Sequence, residues 1–246
     1  MQEDTSPLTV VLVHGAFADA SSWSGVVERL QAAGIEVVAP ANPLRGIAHD
    51  SAYVGSVIEQ IPGRVLAVGH SYGGAVISNV AAENVVGLVF VAAFAPDEGE
   101  ALGEVEAGSK DSVLMSALVP RTYPAGEGEG TEFAIDPEKF RDAFAADLPP
   151  EQTAVMAATQ RPVAEAAFSE PSGPPAWKSH PSWAVVATGD RAAGADVIRS
   201  MAERAGATIT DADGSHVIMV SRPEGVAEVI VNAAAAVDRA TAGAIR

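Results

Sequence analysis

RVLAVGHSYGGAVISNVAA, residues 64–82, divides into a strand, a sharp turn and a helix. Arg64–Val68 is a short apolar, β-branched run, Ala75–Ala82 has helical spacing, and GHSYGG, Gly69–Gly74, joins them. A serine on so abrupt a turn must take a strained backbone, and small neighbours must let the chain bend while the hydroxyl projects above the sheet. Gly69 and Gly73 supply that room. The helix beginning behind Ser71 aims its first amides at the place where negative charge develops in acyl transfer. A glycine-rich turn with a surface serine, or a phosphate loop, is the rival reading of these six residues; their position between strand and helix argues against it.

Outward from this stretch, apolar runs recur at Thr9–Val13, Ile35–Ala39, Val86–Ala92, Trp183–Ala187 and Ala207–Thr210. Helical spacing separates the early ones, through Trp23, Val26, Val27 and Leu30, then Tyr53, Val57 and Ile61. The alternation predicts an α/β class: a mostly parallel, doubly wound sheet of about six strands covered on both faces. From Asp97 to about Pro175 the pattern changes and no strong strand run is visible. Helical candidates at Ser109–Leu118, Pro137–Ala146 and Pro150–Thr159 point to an inserted helical cap, with GEGEG, Gly126–Gly130, as a mobile tip. The expected organisation is a core of residues 1–96 and 176–246 and a cap of residues 97–175. An Ala-rich helix at Pro223–Arg239 would close one face.

With 32 acidic against 15 basic residues the net charge is −17, so the surface repels phosphate backbones. Nucleic acid is not an expected partner, and a neutral small molecule suits the site better than an anion. Hydrophobic residues at 48% and charged residues at 19% fit a packed domain. The start, MQEDTSPLTV, is acidic and polar where an export signal needs a basic start and a longer apolar segment. Val85–Ala95 is about half the length a bilayer requires and reads as a buried strand. A cytoplasmic chain without membrane contact is the expectation. The absence of cysteine removes disulfides, thiolate metal sites and a cysteine nucleophile.

A serine hydroxyl is a weak nucleophile at neutral pH and needs a base to take its proton and a carboxylate to orient that base. Only His180 and His216 lie downstream of Ser71. His216, in ITDADGSHVIMV (residues 209–220), occupies a glycine-containing loop between the last strand run and the terminal helix and is the preferred base. His180, beside Pro181, reads as a turn residue. Asp190, in WAVVATGD (residues 183–190), precedes His216 by enough chain for one helix and one strand and is the preferred acid. Asp97, closing an earlier strand run, competes with it; Asp211 and Asp213 read as turn residues. VLVHGAFADASSW, residues 11–23, brings His14, Gly15 and Ala16 to the end of the first strand. The backbone N–H groups of Ala16 and Tyr72 can then form an oxyanion hole, with His14 buttressing the turn. Phe17 and Trp177 are the candidate substrate-binding residues. Trp177, like Phe168 and Met156 in the cap, also reads as plain core.

HGAFADASSW, GHSYGG, TGD and DGSH, taken together, resemble the α/β-hydrolase superfamily, nearest the compact capped branch with plant methylesterases and hydroxynitrile lyases. The resemblance covers most of the core, while the cap matches only in length and position. It implies an α/β-hydrolase fold, a Ser71, Asp190 and His216 triad, oxyanion amides from Ala16 and Tyr72, and no cofactor or metal. The implied reaction is carboxylesterase-like, on small neutral esters with hydrophobic or aromatic groups. Gly15 and Val217 stand where the lyases carry Thr and Lys, which disfavours cyanohydrin cleavage. A serine at the elbow excludes the dehalogenase and epoxide-hydrolase branches, which use Asp. Asp190 leads into RAAGAD, where relatives often carry Ile-Pro. A catalytically idle binding or receptor module, or lyase, carbon–carbon hydrolase or perhydrolase chemistry on the same residues, remains open. A histidine base predicts activity that rises with pH through the ordinary imidazole range, about 6.5.

Overall fold

The structure, a computed structural model, describes residues 6–243. The first half of the core runs β1 (Leu8–Val13), α1 (Ser24–Ala32), β2 (Glu36–Val38), α2 (Ile47–Glu59), β3 (Arg64–His70), α3 (Tyr72–Ser78) and β4 (Val85–Val91). The cap follows as α4 (Leu102–Ala107), β5 (Leu118–Ala125), β6 (Gly128–Ile135), α5 (Pro137–Phe144), α6 (Pro150–Thr159), β7 (Val163–Ala164) and α7 (Ala166–Ser169). The core resumes with β8 (Ser182–Ala187), α8 (Ala195–Arg204), β9 (Thr208–Ala212), α9 (Ile218–Ser221) and α10 (Pro223–Gly243).

The core strands form one sheet in the order β2-β1-β3-β4-β8-β9, and every pairing is parallel. Each strand arises from one of the six apolar runs. Val10–Val13 and Val65–Val68 are wholly buried, as strands covered on both faces must be. Parallel crossovers are right-handed. The step from β1 to β2 runs one way along the sheet, and the steps into β3, β4 and β9 run the other. Helix α1 therefore lies on one face, and α2, α3 and α8 on the opposite one. Helix α10 packs on α1, and α2 on α3, in agreement with that division. The reversal falls between β1 and β3, the point where open α/β sheets bind their ligands. Among the described residues no helix is long and apolar enough to cross a membrane.

The cap corrects one expectation. Helices α5 and α6 form where the sequence placed them, with Asp136 Oδ1 accepting from Glu138 N–H at 3.0 Å to cap the first. Ser109–Leu118, however, holds only a short 3₁₀ turn at Leu114–Ala117, and β5 and β6 form an antiparallel hairpin with β7 as the third strand. GEGEG is the hairpin's turn and the start of β6, with Gly126 at φ 59°. These strands escape a search for apolar runs because their residues are mostly exposed or half-buried. Pro120 and Pro124 also weaken the pattern; both lie in β5, an edge strand, where a missing N–H is tolerated.

The cap is tied to the core at separated points. Arg45 on the core pairs with Glu132 on β6 at 2.9 Å, and Ala164 N–H donates to Leu44 C=O at 2.9 Å. Ser109 donates to Asp196 at the start of α8 at 2.5 Å, and Ser215 donates to Asp147.

Candidate active site

Ser71 occupies the bend between β3 and α3 with φ 52° and ψ −123°, a left-handed conformation that costs a non-glycine residue about 1–3 kcal/mol. Its carbonyl accepts from Gly74 N–H at 2.9 Å and from Phe94 N–H at 3.2 Å, which fixes the turn. A Cβ on Gly69 would lie 2.5 Å from the Gly73 carbonyl oxygen, and one on Gly73 would press into the Val13 carbonyl. The glycines thus let β1, β3 and α3 close on one another. Gly73→Ala should lower stability by about 2 kcal/mol or more, read as a fall in the urea unfolding midpoint. Phe17 (φ 60°) after β1 and Ala92 (φ 45°) after β4 share the left-handed backbone, so strain gathers at the strand ends around Ser71.

His216 enters from the loop after β9 and Asp190 from the loop after β8. Their contact is direct: His216 Nδ1 lies 2.8 Å from Asp190 Oδ2, with both side chains 1% exposed. The other carboxylate oxygen, Oδ1, accepts from the N–H groups of Ala192 at 2.9 Å and Ala193 at 3.1 Å. Asp190 is therefore a pure acceptor that holds the proton of the imidazole on Nδ1 and leaves Nε2 with a free lone pair. Neither Ser71 Oγ nor His216 Nε2 has a hydrogen-bond partner among the described residues. His70, the residue before Ser71, is fully buried; its Nε2 bonds the His216 carbonyl at 3.0 Å and its ring centroid lies 4.8 Å from that of His216. Burial holds His70 well below the usual histidine range, so it is neutral.

His14 buttresses its turn as expected. Nδ1 meets Gly15 C=O at 2.9 Å while Nε2 accepts from Asn42 N–H at 2.9 Å, and burial lowers its pKa. Gly15 leaves no room for a side chain, since a Cβ there would stand 2.7 Å from Ser71 Cβ. Among the described residues the N–H groups of Ala16 and Tyr72 donate to no protein acceptor, nor does that of Phe17. The other candidates lie elsewhere. Asp97 pairs with Lys178, the side chain of His180 bonds Ala176 C=O at 3.0 Å, Asp211 pairs with Arg199, and Asp213 is exposed.

Residues 10–229 match the model of the Alpha/beta hydrolase family. The chain belongs to that family. Among solved structures this α/β hydrolase is similar to polyneuridine aldehyde esterase, with 20% identity and a TM-score of 0.78 over 93% of this chain and 99% of that one. A pyrethroid hydrolase from Sphingobium faniae JZ-2 gives 22% and 0.73, over 92% of this chain and 96% of that one. A methylesterase from Arabidopsis gives 19% and 0.74, over 93% and 99%. At these identities the likeness is one of fold. No curated protein matches the chain by sequence.

The α/β-hydrolase core and its cap enclose a cleft of about 350 Å³, lined by Phe17, Ala18 and Val220 from the core and Val155, Met156 and Gln160 from the cap. Asp19, Ser21 and Ser22 add polar groups at the core side. Phe17 meets Phe144 edge-on at 6.1 Å, and Phe144 lies 5.1 Å from the His216 ring, so buried aromatic packing links the cleft wall to the imidazole, although neither Ser71 nor His216 lines the cleft itself. Phe17 and Met156 both line this cleft. Trp177 does not: its indole N–H donates to Pro96 C=O at 3.0 Å and the ring is buried at the cap-to-core junction. Phe168 packs on Phe133 inside the cap.

Sequence reasoning missed Phe144, Glu106 and Asp50. Buried Asp50 accepts from Tyr72 O–H at 2.8 Å and from Arg45 N–H at 3.0 Å, binding the residue after Ser71 to α2. Burial, reinforced by Asp50, raises the Tyr72 phenol far above its usual range, so it stays a donor. A wholly buried carboxylate at a helix start carries no mark that distinguishes it in sequence from a solvated one.

Proposed function

We propose that this chain is a serine esterase working through an acyl-enzyme on Ser71. Ser71 Oγ attacks the ester carbonyl while His216 Nε2 takes its proton, and the alcohol leaves with a proton returned by His216. Water then repeats the cycle on the acyl group. Asp190 keeps the imidazole in the productive tautomer and stabilises its charged form. The N–H groups of Ala16 and Tyr72 receive the oxyanion, where preorganised donors are worth about 3–4 kcal/mol each. The reading is carried by one observation: a left-handed Ser71 whose neighbour His70 packs against a buried imidazole already bonded to a carboxylate. The structure forms no Ser71–His216 hydrogen bond, and in catalytic sites that bond is often long or poorly aligned short of the transition-state complex.

The substrate is a small neutral ester whose apolar arm lies in the cleft. A volume of about 350 Å³ suits a compact group. Phe17, Met156, Val155 and Val220 favour an apolar one, and the net charge of −17 disfavours anions. Met156→Trp is expected to raise KM several-fold for bulky aryl esters and leave acetate ester kinetics close to wild type; equal effects on both would remove the cleft from the binding site. A fluorophosphonate probe should label Ser71 covalently, mapped by peptide mass. An intact, folded chain that stays unlabelled contradicts the reading and favours a binding module.

A further inference from the structure

Helix α4 in the cap carries a carboxyl group that the proposed reaction does not use. Glu106 is 2% exposed, and its Oε2 is buried without a hydrogen-bond partner. Two residues away Glu104 faces solvent, so the burial is specific to one side of the helix. Oε1 lies 2.9 Å from Ser112 Oγ, and the same hydroxyl lies 2.6 Å from the Ala192 carbonyl oxygen. One hydroxyl proton cannot serve two acceptors. The chain of bonds closes only if Glu106 is itself the donor, with Glu106 O–H to Ser112 Oγ and Ser112 O–H to Ala192 C=O. Leu114 N–H, 3.3 Å away, takes the remaining lone pair of Ser112. A neutral acid also makes the orphaned Oε2 tolerable, because an unpaired buried carboxylate oxygen is far more costly than an unpaired carbonyl oxygen.

The far end of this chain is the acid loop. Ala192 receives the Ser112 proton at its carbonyl and donates its own N–H to Asp190 Oδ1, and Val113 N–H holds the neighbouring Arg191 carbonyl at 2.8 Å. We propose that Glu106 is a positioning residue: through Ser112 it holds the loop that orients Asp190, and it does so only while its carboxyl carries a proton. This rests on the esterase reading for its functional meaning, and on the cap-to-loop geometry for its physical content.

Burial pushes the Glu106 carboxyl up to about 7, against the pull of Ser112 and of His216. The titratable groups whose charge reaches it are His216 and Asp190. Nearby Asp196 is engaged by Ser109 Oγ and Lys110 N–H and donates its own N–H to Asp111, while α7, packed on α4, carries no titratable side chain between Ala166 and Ser169. An acid raised in the folded state makes folding stability fall as pH climbs from its ordinary range through the raised value. Ionisation would turn the Ser112 proton toward Glu106, release Ala192 and place a second negative charge beside the His216–Asp190 pair.

Infrared difference spectra should show a protonated carboxyl band at about pH 6 that fades above about pH 8 and is missing in Glu106→Gln. In proton NMR, the downfield His216 Nδ1–H signal should shift with that same titration in wild type and stay still in the variant. Ester turnover by wild type should fall several-fold on the alkaline side, and by Glu106→Gln should not. Absence of the band in wild type overturns the proposal even if Glu106→Gln fails to fold. Band present with an unmoved His216 signal overturns the positioning role. The spectroscopic arms need no turnover, so a chain that hydrolyses no ester refutes the esterase reading without touching them.

Discussion

Ser71→Ala is expected to lower p-nitrophenyl ester turnover by a factor on the order of 10⁴ or more, down to what binding and the oxyanion donors alone provide. The effect isolates chemistry from folding. Alanine keeps the same Cβ in the same left-handed turn, and among the described residues the Ser71 hydroxyl makes no hydrogen bond whose loss could loosen the fold. Urea midpoints of the two chains should agree within about 0.5 kcal/mol of stability. Turnover within tenfold of wild type in the variant would end the acyl-enzyme mechanism.

Asp190→Asn should be nearly as severe, about 10⁴ in kcat. The reason lies in the asymmetry of the carboxylate. Oδ1 faces two backbone donors, the N–H groups of Ala192 and Ala193, and only an oxygen can stay there. The amide NH₂ of asparagine is then forced toward His216 Nδ1, which must become an acceptor. The ring proton moves to Nε2, and the base loses the lone pair that should take the Ser71 proton. A shift of the His216 tautomer in ¹⁵N spectra, together with the loss of kcat, would check this. Retained activity with an unchanged tautomer would refute it, and would return the acid's role to another residue.

The strands of the core were legible because each is a continuous apolar run, a pattern that burial on both faces imposes whatever the tertiary detail. The Ser71 turn was legible for a related reason: only glycine fits where Gly69 and Gly73 touch neighbouring backbone, so sterics write themselves into the sequence. Asp190 could be preferred over Asp97 from its place in the chain, and the 2.8 Å contact agrees. The cap was harder. Its hairpin carries runs of exposed and then half-buried residues with no clean alternation, and prolines at an edge strand blur what pattern remains. Trp177 failed as a pocket residue because an indole is equally at home in a crevice or a core, and only the Pro96 carbonyl that takes its N–H decides between them. Glu106 and Glu104 look alike in LGEVEA, though one is sealed in and the other is wet.

The separate fastenings between cap and core have a mechanical meaning. Arg45–Glu132, the Ala164–Leu44 bond, Ser109–Asp196 and Ser215–Asp147 pin the insertion on several sides, so it has no single axis about which to swing. Opening it as a rigid flap would break charged and backbone bonds together. On the proposed esterase reading, passage of a ligand would then fall to rotamer changes of side chains around the cleft, such as Phe17, Val155 and Met156. Under that reading, selectivity would be written in a few side-chain volumes at a fixed portal, and the range of accepted molecules could be retuned without disturbing the scaffold beneath.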